Sequence, residues 1–149
     1  IAKSKNHKTI LMNKKEITLR MIADKEYETI NPEGNKVQMD MYDGAEKKFQ
    51  SPMELLLSGL AGCSAVDAVL MMKKKRKQVD NFEIKAEGIR NDGTPAFYKS
   101  IHLHFILTSS DATELEFEKV IKLAVDKYCS VASSLKSEIS YSTEIKKPV

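Results

Sequence analysis

Apolar and polar positions alternate through the first part of the chain. Ile17, Leu19 and Met21 alternate with Thr18, Arg20 and Ile22, which predicts a strand with one buried face. A second run at Tyr27–Ile30 meets the dense turn signal Asn31, Pro32, Glu33, Gly34 and Asn35. Val37, Met39 and Met41 then alternate again, so the two runs read as a hairpin. Tyr42 to Gln50, with Asp43, Gly44 and several charges, reads as a loop.

The pattern changes at Ser51 to Gln78, SPMELLLSGLAGCSAVDAVLMMKKKRKQ, the stretch around which the chain is organised. Ser51 can cap a helix, Pro52 suits the first helical position, and Glu54 completes an S-x-x-E capping box. From Leu55 to Met72 almost every position is apolar or small and Asp67 is the one charge, which predicts a helix buried on all sides. Ser58, Gly59, Ala61, Gly62, Ser64 and Ala65 surround Cys63. Small side chains weaken a helix but let another backbone or a substrate approach, so this is a candidate crossing point or site.

A membrane span is the main rival reading, because Lys73, Lys74, Lys75, Arg76 and Lys77 imitate a positive cytoplasmic flank. Against it, Asp67 near the bilayer interior costs roughly 2.5 to 3.5 kcal/mol, and the many small residues offset little of that. The basic run is more simply a solvated last turn complementing the helix dipole.

Further on, Phe82, Ile84 and Ala86 alternate with Glu83, Lys85 and Glu87, and Asn91 to Pro95 turn the chain into Phe97–Thr108, a second hairpin. Thr113 and Glu116 form another capping-box pair. Leu115, Val120, Ile121, Ala124 and Tyr128 follow at helical spacing, predicting a helix that ends near Cys129. Ser130 is placed to cap a short helix through Leu135, and Ile139, Tyr141, Thr143 and Ile145 alternate as a closing strand. The order is three strands, a long helix, two strands, one or two helices and a strand. It predicts an α+β fold of antiparallel sheets around the central helix rather than a doubly wound sheet. So apolar a helix needs more cover than one small sheet gives, so we expect a dimer that packs it against its symmetry mate.

The chain of 149 residues fits a single domain, 1–149. A net charge of +3 with interleaved acids does not argue for nucleic acid. Lys3, Lys5, His7 and Lys8 precede no apolar signal-peptide core, and two cysteines suit a reducing cytosol, so a cytoplasmic location is expected. Met12 reads as an alternative start that would make Ile1–Leu11 an extension.

Cys63 and Cys129 each sit on or beside a predicted core helix. By spacing and burial alone they are small buried hydrophobes. As a pair they are also chemically coherent: one thiolate can attack an electrophilic oxygen or sulfur, and the other can capture the sulfenic acid as a disulfide. That needs their Cα atoms within about 7 Å. Glu54 most simply serves its capping box; it lies nine residues before Cys63, about 13 Å along a regular helix, unless Gly59 or Gly62 breaks it. Arg20 reads as a solvated strand residue, with stabilisation of a thiolate as its alternative. Asp67 is placed to raise the Cys63 pKa or to partner a lysine. His102 and His104 share a strand face that can supply two metal ligands, but no third accompanies them and the pair reads as structural. There is no phosphate-binding glycine loop, CxxC, HExxH or GxSxG motif.

SPMELLLSGLAGCSAVDAV, the downstream HLHF and the later DKYCSVASSL resemble the OsmC and organic hydroperoxide resistance (Ohr) family, and within it the YhfA-like branch of OsmC-like proteins. The likeness runs from about Ile17 to Ile145. It implies an intertwined α+β homodimer with central helices back to back and two sites at the subunit interface. It also implies a thiol peroxidase acting on organic hydroperoxides, with Cys63 as the peroxidatic and Cys129 as the resolving cysteine. A lipoyl-type dithiol is the reductant it suggests, and sulfur carries both electrons without metal, flavin or haem. Apolar cover around Cys63 would favour organic hydroperoxides over hydrogen peroxide.

Two departures stand beside this likeness. The family's better-studied peroxidases carry a glutamate ten residues before the reactive cysteine, where this chain has Met53 and places Glu54 one residue later. Their activating arginine has no aligned counterpart, which leaves Arg20 as a candidate. The alternatives are a non-catalytic small-ligand-binding or redox-sensing member of the same fold, and an interaction protein using Lys73–Lys77 on anionic partners.

Overall fold

The computed structural model describes residues 13–149; the alternative start at Met12 lies outside them. The chain forms two compact units, Ile1–Glu54 and Leu55–Val149, with the boundary in the first turn of the central helix.

In the first unit, β1 (Thr18–Ala23), β2 (Glu26–Ile30) and β3 (Lys36–Asp40) form an antiparallel meander in that order. Register puts Leu19, Met21, Tyr27, Val37 and Met39 on one face, and Arg20, Glu28 and Gln38 on the other. The strand expected to bury its apolar face does not do so within this chain, since Leu19 and Met21 are 52% and 68% exposed. Fully buried Asp40 organises the loop after β3: its carboxylate accepts the Lys48 and Phe49 N–H groups at 2.7 and 2.9 Å. Burial alone would raise the Asp40 pKa, but these amides and that of Tyr42, with Lys47, hold it below the ordinary range. The loop delivers the chain to the capping box, where Glu54 N–H donates to Ser51 Oγ and Ser51 N–H to Glu54 Oε1, both at 3.2 Å.

The central helix, α1 (Pro52–Lys74), is unbroken through Gly59 and Gly62. It stops before the end of the basic run. Arg76 takes a left-handed φ of 60°, its N–H donates to the Lys73 carbonyl at 2.9 Å, and the Lys77 N–H donates to that of Met72 at 3.1 Å. Those two bonds close a Schellman motif, with arginine where glycine is usual. Burial corrects the sequence reading. Within one chain only Leu60, Ser64, Ala68 and Met72 are buried, a single stripe at four-residue spacing. Leu56, Gly59, Gly62, Val66 and Leu70 lie exposed on another. An all-apolar sequence cannot tell which cover comes from its own chain.

In the second unit, β4 (Asn81–Arg90), β5 (Tyr98–Thr108) and β6 (Glu138–Lys146) form a sheet in that order. β4 and β5 pair antiparallel as expected, whereas β6 runs parallel to β5. The expectation of purely antiparallel sheets is therefore corrected at this pairing. A parallel neighbour needs a long return, and it is made by α2 (Glu114–Leu123), a π-helical segment (Ala124–Tyr128) and α3 (Ser130–Ser134). Thr113 caps α2 as predicted, its Oγ1 accepting the Glu116 N–H at 3.2 Å. Ile101, Leu103, Phe105 and Leu107 point to one face of β5 and are at most 1% exposed, as are Phe117, Val120 and Ile121 of α2. Phe82 stands edge-on to both Phe105 and Phe117, with ring centroids 6.1 Å apart in each pair.

Candidate active site

The unbroken helix presents Cys63 half-buried in its middle, and the crossover to β6 brings Cys129 to it from the far end of the π-helical segment. Both are free thiols, near enough that Cys63 influences the charge state of Cys129. Cys129 is 3% exposed. It, not Ser130, is the N-cap of α3, its sulfur accepting the Ala132 N–H at 3.4 Å. The Ser64 hydroxyl, fully buried one residue beyond Cys63, donates to the same sulfur at 3.5 Å.

Burial is the largest influence on the Cys129 thiol and pushes its pKa up; the Ser64 hydroxyl and Ala132 amide oppose it, and Cys63 pushes it further up. Cys129 is thus a buried thiol beside a more accessible one. Chemically, such a pair can oxidise at the accessible sulfur and close to a disulfide with the buried one.

The supporting candidates Glu54 and Arg20 make bonds of their own. Glu54 holds its capping box and an ion pair with Lys47 at 3.0 Å. That lysine, followed by the Ser51 bonds, lowers its pKa. The kink that Gly59 or Gly62 could have introduced is absent. Arg20 forks onto buried Glu28, Nη2 at 2.7 Å and Nε at 3.0 Å, and the Arg20 hydrogen bond is the main reason the Glu28 carboxyl sits below its ordinary range. Asp67 is half-buried one turn after Cys63.

His102 and His104 form a ladder with β6. His102 Nδ1 lies 2.8 Å from Ser140 Oγ and its Nε2 lies 2.9 Å from Ser142 Oγ. His104 Nδ1 lies 2.6 Å from Ser142 Oγ and its Nε2 lies 3.1 Å from Glu144 Oε2. Every ring nitrogen has a partner, as a structural pair requires. Among the described residues no group of three or more His, Cys, Asp or Glu could hold a metal. The residue beside the two cysteines that sequence reasoning passed over is Ser64. Its only signal was a hydroxyl beside Cys63 in a run read as uniformly small.

The family model described as OsmC-like protein matches residues 44–144. Protein YhfA of Escherichia coli strain K12 is 36% identical over 107 residues, covering 72% of this chain and 78% of its own. The crystal structure of a hypothetical protein from Aquifex aeolicus superimposes with a TM-score of 0.81 at 28% identity, covering 93% of this chain and 100% of its own. The organic hydroperoxide resistance protein OhrB of Bacillus subtilis superimposes with a TM-score of 0.61 over 91% of this chain and 99% of its own. At 14% identity that is a likeness of fold alone.

Proposed function

The chain belongs to the OsmC-like protein family, and on that premise we propose that it is a cysteine-based thiol peroxidase that reduces organic hydroperoxides to alcohols. The observation that carries this reading is the nearness of a more accessible thiol, Cys63, to a buried one, Cys129, whose sulfur is held by the hydroxyl of Ser64, the residue after Cys63. The Cys63 thiolate attacks the distal peroxide oxygen. The O–O bond breaks, the alcohol departs with a proton, and Cys63 is left as a sulfenic acid. Cys129 then closes the disulfide, and a dithiol, of lipoyl type in our reading, restores both thiols by exchange. The substrate class in this reading is the one in the name of the Bacillus subtilis neighbour, whose fold the chain shares.

The working form in this reading is a cytoplasmic homodimer. The exposed stripe Leu56, Gly59, Gly62, Val66 and Leu70 supports it: an isologous contact buries the apolar positions, and the glycines allow close approach of two backbones. A second reading, a non-catalytic ligand-binding or redox-sensing dimer, is favoured by one observation. Within this chain both supporting candidates are engaged in structural bonds, Glu54 with Ser51 and Lys47 and Arg20 with Glu28.

Rapid-mixing oxidation of the reduced protein by an organic hydroperoxide and by hydrogen peroxide separates the two. A peroxidase oxidises quickly and prefers the organic substrate; Cys63→Ser is inert and Cys129→Ser stops at the sulfenic acid. Oxidation no faster than that of a free thiol sinks the peroxidase and leaves the second reading.

A further inference from the structure

We infer that Ser64 is a positioning residue for disulfide closure, its buried hydroxyl holding the Cys129 sulfur beside Cys63 and stabilising the thiolate that sulfur must become before it attacks. The assignment rests on the thiol-peroxidase reading above and adds a residue to its second step.

The argument starts from burial. A hydroxyl with 0% exposure must find a partner or lose the hydrogen bond it makes to water. A serine inside a helix can turn back on its own backbone. Ser64 instead reaches across to a residue 65 positions away. It follows Cys63 directly, so the helix that presents one sulfur also carries the donor that fixes the other. A second donor, the Ala132 N–H at 3.4 Å, meets the same sulfur from α3. A neutral thiol is a weak acceptor and gains little from two donors, whereas a thiolate gains much from each. The pair of donors is therefore matched to the thiolate formed when Cys129 gives up its proton ahead of attack, in a site whose burial otherwise opposes that charge.

The step balances without any further reactant. The Cys129 sulfur attacks the sulfur of the Cys63 sulfenic acid; the S–S bond forms as the S–O bond breaks. The thiol proton of Cys129 and the departing hydroxide leave together as water. Two thiol-level electrons have already gone to the peroxide, so closure needs no oxidant.

The test uses Ser64→Ala in two arms. In the first, the Cys129 thiolate is titrated by its ultraviolet absorbance in Cys63→Ser and in Cys63→Ser with Ser64→Ala. Neither protein needs to react with peroxide. In the second, the full-length protein is oxidised with an organic hydroperoxide, and conversion of sulfenic acid to disulfide is followed by mass spectrometry against pH. We expect the alanine variant to titrate Cys129 at higher pH, to close roughly tenfold more slowly at neutral pH, the effect of losing one hydrogen bond to a charged group, and to recover as pH rises. Unchanged titration together with unchanged closure would overturn the assignment. A uniform slowing without a shifted pH profile would do so as well, because it marks a merely structural residue. If the wild type itself forms no sulfenic acid, the peroxidase reading fails, and the titration arm still decides whether Ser64 acts on Cys129.

Discussion

Oxidation should stabilise this protein, by an amount the positions of its cysteines set. A bond between Cys63 and Cys129 closes a loop of about 66 residues, which by chain entropy removes about 4 kcal/mol of conformational freedom from the unfolded state at 25 °C. The folded state gives little of this back if the thiols need only approach to the roughly 2.05 Å of a disulfide without dragging the backbone. For a chain of 149 residues, about 4 kcal/mol corresponds to a rise of about 10 °C in Tm. The assay is calorimetric melting of reduced and oxidised protein at one fixed concentration, since association also shifts Tm. Cys129→Ser exposed to the same oxidant is the control and should show no rise. Suppose mass spectrometry shows the intramolecular disulfide and the oxidised protein melts at or below the reduced one. Closure then distorts the fold, and the inference that the thiols are poised to bond is refuted.

Four further outcomes follow from particular contacts. A Cβ on Gly88 would meet the Tyr98 ring at 2.5 and 2.6 Å. Gly88→Ala should therefore cost about 1 to 3 kcal/mol by overpacking, and much of that should vanish in a Tyr98→Leu background, as a double-mutant cycle would read. Arg76→Gly should stabilise by about 1 kcal/mol in denaturant titration, because the left-handed C-terminal position of α1 strains any residue with a Cβ. The lowered pKa of Asp40 means its contribution is present above the unfolded value, near 4, and is lost as pH falls through the folded one; Asp40→Asn should flatten the acid limb of the stability curve and lower Tm at neutral pH. The Glu144 carboxylate only accepts, so neutral His104 must carry its proton on Nε2 and Ser142 must donate to Nδ1. Nitrogen NMR should find that tautomer in wild type and lose it in Glu144→Ala.

Much of this was legible in the sequence because it rests on local geometry. The Ser51 and Thr113 caps form as their spacing predicted, and the alternations at Leu19, Val37, Phe82 and Ile101 all fall in strands. The two cysteines were singled out as a pair, and Cys63 is among the groups that act on Cys129. The parallel pairing of β6 was not legible, because period-two alternation is the same whichever way a neighbour runs. Exposure of Met21 and Val66 escaped for another reason: an apolar residue reads the same in sequence whether or not its own chain covers it. Ser130 looked like the cap of α3 because hydroxyls usually cap helices, yet the sulfur of Cys129 takes that place. Ser64 was invisible as a partner because its contact spans 65 positions and leaves no periodic trace.

The parallel return to β6 also bears on when the redox pair can exist at all. Cys129 lies inside the excursion between Thr108 and Glu138, and that excursion is closed only when β6 settles against β5. During synthesis Cys63 is made long before its partner and well before the last strand. Contacts of such sequence separation form late, after loop-closure entropy has been overcome. Pairing of the thiols therefore waits on the excursion that carries Cys129 back to α1, and reduced, separated cysteines are expected in a chain where that excursion has not formed.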